Sequence, residues 1–141
     1  MELVVDANVL FSALIAEGKT RELLYSEKLN LIAPEFLLTE VENHEKEICE
    51  KSGLSKEDFE FILILFRKRI DIIPREDFEE YLIRANKRCP DPDDTEYLAL
   101  AMSEDAILWS DEKKLKDQDE VEVISTSELI TLLKKKKSKT N

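Results

Sequence analysis

The sequence predicts an α/β domain of three layers, α/β/α, around a five-stranded parallel sheet. Three observations predict it. Short apolar runs at Glu2–Asp6, Leu29–Ala33, Ile70–Ile73, Ala106–Trp109 and Val121–Ile124 read as strands. Helical patterns lie between them, and strands alternating with helices imply right-handed βαβ units with a sheet covered on both faces. No repeat or linker interrupts the 141 residues, a length that fits one domain.

Taken in order, the first strand runs straight into an apolar helix near Asn8–Ala16, with Gly18 as its C-terminal stop. A second helix, about Thr20–Glu27, buries Leu23 and Leu24. Pro34 follows the second strand and is expected in the first turn of the next helix, the position proline tolerates. That helix, about Glu35–Lys51, carries Phe36, Leu37, Val41 and Ile48 on one side, and Gly53 ends it. Ser55 with Asp58 resembles a capping box opening a helix to about Lys68. Pro74 breaks the chain before a helix of about Glu76–Lys87. The loop Cys89-Pro90-Asp91-Pro92-Asp93-Asp94 launches an alanine-rich helix, Thr95–Ser103. A short helical turn, Asp111–Leu115, separates the fourth and fifth strands. Ser125 with Glu128 caps the last helix, which runs into a lysine-rich tail. The domain is expected over residues 1–133, with 134–141 a basic, disordered end.

The segment Lys56–Lys68 stands out because Phe59, Phe61, Ile62, Leu63, Ile64, Leu65 and Phe66 make it apolar nearly all round. Such a helix is either deeply buried or packed on a partner, and a peripheral helix of a small three-layer domain is rarely buried on every side. A homodimer or a protein-partner contact is expected here.

With 43% apolar residues the chain can build a core, and no apolar run is long enough to cross a bilayer. Met1-Glu2-Leu3 opens directly into a strand, with no signal peptide, so a cytoplasmic location is expected. Cys49 and Cys89 are too few for a disulfide framework and lack metal-ligand spacing. A net charge of −11 argues against a generic nucleic-acid binder with a basic face. Five lysines lie in the tail, leaving 16 basic against 32 acidic residues elsewhere.

Several chemistries are excluded. With only Gly18 and Gly53 there is no Walker loop and no glycine-rich dinucleotide fingerprint. A serine-hydrolase elbow is absent. His44 is the single histidine; it lies four residues after Glu40, on the same helical face, and reads as a surface residue. Asp91-x-Asp93 hints at a calcium loop, but Glu96 stands where the glycine must be.

What remains is carboxylate. Asp6 follows strand one, Glu40 lies near the start of the helix after strand two, Asp94 begins the helix before strand four, and Asp111 with Glu112 follows strand four. In a 3-2-1-4-5 sheet, strands one, two and four are neighbours, so these acids can converge outside the carboxyl ends of the strands, where open α/β sheets place ligands. Clustered carboxylates repel unless a cation is present, and hard oxygen ligands suit Mg²⁺ or Mn²⁺. An ion there would serve phosphodiester hydrolysis by activating a water and stabilising charge on the phosphate, alone or as one of a pair about 4 Å apart.

The segments Val5-Asp6-Ala7-Asn8-Val9-Leu10-Phe11-Ser12-Ala13-Leu14, Leu38-Thr39-Glu40, Asp91-Pro92-Asp93-Asp94-Thr95-Glu96-Tyr97-Leu98-Ala99-Leu100-Ala101 and Leu108-Trp109-Ser110-Asp111-Glu112-Lys113-Lys114-Leu115 resemble the four signature blocks of the PIN domain family. The order and spacing of the blocks match over about Met1 to Leu133. The resemblance implies a Mg²⁺- or Mn²⁺-dependent ribonuclease, as in VapC-like toxins paired with an antitoxin protein and in RNA-processing enzymes. Carried over by position, Asp6, Glu40 and Asp94 match the first three acids, and Asn8 and Ser12 match small polar residues that support the first. The fourth site departs from the family's Thr/Ser-x-Asp. Ser110 sets a register in which Glu112 takes the aspartate position and Asp111 is the x; either acid is a candidate. Asp91 and Asp93 are expected to shape their loop or to bind the outer side of an ion through water. On this reading Asp6 and Asp94 ligate one ion, while Glu40 and Asp111 or Glu112 orient the attacking water or complete a second site.

The alternative of another class is a catalytically inactive PIN-like RNA- or protein-binding module, which the Glu112 departure and the acidic body favour. A phosphotransferase with a nucleophilic Asp6 would need an acid two residues later, and Asn8 stands there.

Overall fold

The structure, a computed structural model, describes residues 1–139, with side chains to Lys136. Its elements are β1 (Glu2–Val5), α1 (Ala7–Ile15), α2 (Lys19–Leu24), β2 (Asn30–Pro34), α3 (Phe36–Ser52), α4 (Lys56–Arg67), β3 (Ile70–Ile73), α5 (Leu82–Arg88), α6 (Thr95–Glu104), β4 (Ile107–Trp109), β5 (Val123–Ile124) and α7 (Thr126–Lys139). The five strands form one parallel sheet in the expected order β3-β2-β1-β4-β5. Leu3, at the centre, pairs with Leu31 on one side and Ile107 on the other.

Burial explains why the middle strand is apolar without alternation. Leu3, Val4 and Val5 are all fully covered, because helices lie on both faces. Helix α6 contributes Tyr97, Leu98, Ala99, Leu100 and Ala101 to the same core, and its alanines let it lie close to the sheet. Trp109 is wholly buried; its indole N–H donates to Thr126 Oγ1 at 3.0 Å, which joins β4 to the start of α7.

Several boundaries differ from the sequence expectation, each for a local reason. Pro34 does not open α3; it ends β2, paired with Ile73, where its missing N–H costs least. Gly18 precedes α2 instead of closing α1. The end of α1 is served by Arg21, whose guanidinium donates to the carbonyls of Ala13 (2.8 Å) and Leu14 (3.4 Å). The expected helix over 76–87 is broken into 3₁₀ turns at Arg75–Asp77 and Glu79–Tyr81 before α5. Phe78 leaves helical geometry between them, with its ring fully buried.

Gly53 caps α3 in the left-handed region, with φ 75°. Ser55 Oγ accepts the Asp58 N–H at 3.1 Å, while Ser125 and Glu128 form the full reciprocal box, both bonds 3.1 Å. Helix α7 continues through the lysines to Lys139, where a disordered end was expected; lysine is a good helix former, and Leu129, Ile130, Leu132 and Leu133 anchor the helix to the core. Residues 140–141 of that expected tail lie outside the described residues. Among the described residues no helix is long and apolar enough to cross a membrane.

Helix α4 is buried on one side only. Phe59 and Phe66 enter the core, whereas Phe61 and Ile64 are 63% and 56% exposed.

Candidate metal centre

The carboxyl ends of β1 and β4 lie side by side, with Val5 opposite Trp109. The chain leaving β1 therefore meets the chain leaving β4 immediately. The Asp6 N–H still donates to the Trp109 carbonyl (3.1 Å), so Asp6 is held like a last strand residue, and its carbonyl accepts the first helical bonds of α1. Its carboxylate is buried, 1% exposed, and accepts a 2.7 Å hydrogen bond from Ser110 Oγ.

Ser110 in turn accepts the Glu112 N–H at 3.1 Å, which folds Glu112 back over the same end of the sheet. Asp94, at the junction of the 3₁₀ turn Pro92–Asp94 and α6, comes in from the other layer. One carboxylate oxygen from each of Asp6, Asp94 and Glu112 lies within 4.8 Å of the others. Asp94 Oδ2 and Glu112 Oε2 are buried, and neither has a hydrogen-bond partner among the described residues.

An arrangement like this is costly by itself. Burial pushes the Asp6 carboxyl up to about 6, with Glu112 adding like charge and Ser110 opposing the shift. Asp94 is raised further, first by burial, then by the carboxyls of Glu112 and Asp6. Three acids around one small space with two orphan oxygens match a divalent cation: hard oxygen donors, a net negative charge, and lone pairs with nothing else to bind. The donor set fits Mg²⁺ or Mn²⁺.

Glu40 stands just outside this triad. It is half-buried one turn into α3, and Tyr97 Oη donates to its Oε1 at a short 2.5 Å. Burial raises the Glu40 carboxyl, the bond from Tyr97 opposes this, and the Asp6 charge adds to the rise. Tyr97 is missing from the sequence-level set of candidates. Its signal was its place on α6 three residues after Asp94, hence on the same helical face.

The ambiguity between Asp111 and Glu112 resolves by direction. Asp111 points away from the triad and grips the start of α7, accepting from the Thr126 N–H (2.7 Å) and Thr126 Oγ1 (2.8 Å). Glu112 alone of the two joins Asp6 and Asp94. Of the other residues singled out, Asp91 Oδ1 accepts the Asp93 N–H (3.0 Å) and shapes the loop before α6. Asn8 and Ser12 present exposed side chains on α1, and Ser110 is the side chain bonded to Asp6. His44, expected at the surface, is half-buried: its Nδ1 meets the Glu40 carbonyl at 2.8 Å and its ring leans on Phe11.

A family model described as PIN domain matches residues 4–135. The chain belongs to the PIN domain family. Solved structures agree with the fold. A structure of VapBC2 from Rickettsia felis bound to a DNA fragment from their promoter aligns with a TM-score of 0.67 at 16% identity, covering 89% of this chain and 98% of that one. PAE2754 from Pyrobaculum aerophilum aligns at 0.68 and 16% identity, over 94% and 89% of the two chains. A toxin-antitoxin complex from Klebsiella pneumoniae aligns at 0.67 and 16% identity, over 88% and 97%. No curated protein matches the sequence. Of the carboxylates expected at this site, Asp6, Asp94 and Glu112 come together, Glu40 is held by Tyr97 and Asp111 turns to Thr126.

Proposed function

We propose that this PIN domain is a divalent-metal-dependent ribonuclease. The observation that carries the reading is the pair of buried, unpartnered oxygens, Asp94 Oδ2 and Glu112 Oε2, beside Asp6. Uncompensated buried acceptors of this kind persist where a ligand completes them. Asp6, Asp94 and Glu112 are the residues that would hold Mg²⁺ or Mn²⁺. The ion, when bound, supplies positive charge for the phosphate and a more acidic water.

The chain's own residues do the rest. Ser110 fixes the Asp6 carboxylate through its donated hydrogen bond and leaves the other oxygen free. Tyr97 clamps one oxygen of Glu40, which leaves Oε2 able to accept a proton from a water at the edge of the triad. Burial of Asp6 and Asp94 keeps bulk water out and strengthens every charge interaction there. Nuclease activity is typical of PIN domains, which agrees with this chemistry.

The decisive experiment incubates the chain with structured and unstructured RNAs in Mg²⁺, in Mn²⁺ and in chelator, beside Asp6→Asn. Cleavage that needs metal and disappears in Asp6→Asn is expected. Absence of cleavage together with absence of Mn²⁺ binding by calorimetry would favour the inactive binding module instead.

The reading extends to a protein partner. The groove of about 320 Å³ between α3 and α4 is lined by Leu38, Val41, Phe59 and Leu63 with three acids, Glu42, Glu45 and Glu60, and one cation, Arg67; the same helix α4 exposes Phe61 and Ile64. An antitoxin with a basic amphipathic segment suits that combination, and two of the structural neighbours come from toxin-antitoxin complexes. Light scattering that found a dimer abolished by Phe61→Lys would assign the face to a second copy instead.

A further inference from the structure

We propose that the groove between α1 and α3 is a nucleobase subsite, which stacks one unpaired base of the RNA against Phe11 and His44. The inference rests on the ribonuclease reading and adds to it a place for the substrate's base.

The groove has a volume of about 310 Å³ and starts at Asn8, two residues beyond Asp6. Its other wall is α3, where His44 follows Glu40 by one turn. Both walls therefore begin at residues adjoining the carboxylates and run away from them along two helices. From Asn8 to Ile15 the groove extends for roughly 10 Å, at about 1.5 Å per helical residue.

Its lining differs from the rest of an acidic molecule. Phe11 and His44 lie with ring centroids 5.0 Å apart and planes at 38°, forming one aromatic wall. The only carboxylate on the lining, Glu47, is tied to Lys51 at 2.7 Å, so the groove has no net charge although the chain carries −11. A phosphate-binding surface would need cations here; a base needs a flat apolar wall and a few polar atoms. These are present. The Glu40 carbonyl can only accept, so His44 donates from Nδ1 and keeps Nε2 for a ligand. That nitrogen, the exposed amide of Asn8 and the hydroxyl of Ser12 offer polar partners for a base edge. Every base has a stacking face, so preference among bases comes from these polar atoms.

His44 is the chain's one histidine, so its imidazole protons give a single, assigned reporter by NMR. The full-length Asp6→Asn protein is titrated with an eight-residue unstructured RNA, with the same RNA lacking bases, and with a basic amphipathic peptide. An upfield ring-current shift of the histidine signal with the first alone is expected. Phe11→Leu and His44→Ala should each weaken binding of the intact RNA by about tenfold, the usual scale for one stacked base, without weakening the abasic one. Phe11→Tyr should restore it. Equal shifts with intact and abasic RNA, or a shift with the peptide alone, overturn the subsite. So does metal-dependent cleavage by the native protein that Phe11→Leu and His44→Ala leave unchanged. Loss of all cleavage by the native protein would instead sink the ribonuclease reading, and the NMR titration still decides the groove.

Discussion

Replacing Asp6 by asparagine should stabilise the metal-free protein at neutral and alkaline pH. Asp6 is 1% exposed, and its carboxyl titrates at about 6 against an ordinary 3.8. A raised carboxyl means that the folded state holds the proton more tightly than the unfolded chain does. Stability from this group is therefore full below about pH 4, falls as pH rises towards 6, and stays low above that. About two pH units at about 1.4 kcal/mol each amount to roughly 3 kcal/mol lost by pH 8. Asparagine carries no charge to desolvate, still accepts from Ser110, and can donate to the neighbouring carboxylates. In a domain of this size the gain corresponds to roughly 5–10 °C in Tm. Urea melts of both proteins in chelator, from pH 4.5 to 8.5, measure it: the difference should be small at the acid end and reach a plateau above pH 7. Mn²⁺ at about a thousand times its Kd should reverse the order, since such an excess adds about 4.1 kcal/mol to the protein that binds it. A stability difference independent of pH, or an asparagine variant less stable at pH 8, would refute the claim that ionised Asp6 is strained by its surroundings.

Glu112→Gln should weaken Mn²⁺ binding by calorimetry and leave the metal-free melt unchanged or higher, whereas Asp111→Asn should keep the metal and cost about 1–2 kcal/mol in urea, because it loosens the Thr126 clamp on α7. Tyr97→Phe removes the donor that holds Glu40 inside the fold; a loss of about 1–2 kcal/mol at pH 8 is expected, with RNA cleavage slowed through kcat more than through KM. Gly53→Ala meets no atom within 4 Å, yet its φ of 75° should cost about 1 kcal/mol, read as a lower urea midpoint with an unchanged slope.

The apolar runs and the helical spacings were enough to mark five strands of a parallel sheet, because a sheet covered on both faces demands continuous hydrophobic strands; their order came with the resemblance carried by the four acidic blocks. The acids, too, were visible as residues at strand ends and helix starts. What composition and spacing could not supply was direction. Ser110, Asp111 and Glu112 are consecutive, and in extended chain successive side chains face opposite ways. Ser110 bonds to Asp6, so Glu112 returns to that side and Asp111 is sent to Thr126. The half-exposed state of α4 was likewise out of reach, since Phe59 and the six apolar residues from Phe61 to Phe66 leave almost no polar face to read; only packing against the core chose Phe59 and Phe66 over Phe61 and Ile64.

Hydrophobic pattern and chain connectivity thus suffice for a parallel sheet with helices on both faces and for acids at its strand ends, since both follow from residues close together along the chain. Which oxygens remain without a partner, and the bond by which Tyr97 secures Glu40, emerge only from the packed chain. Those depend on contacts between residues dozens of positions apart, which no local pattern encodes.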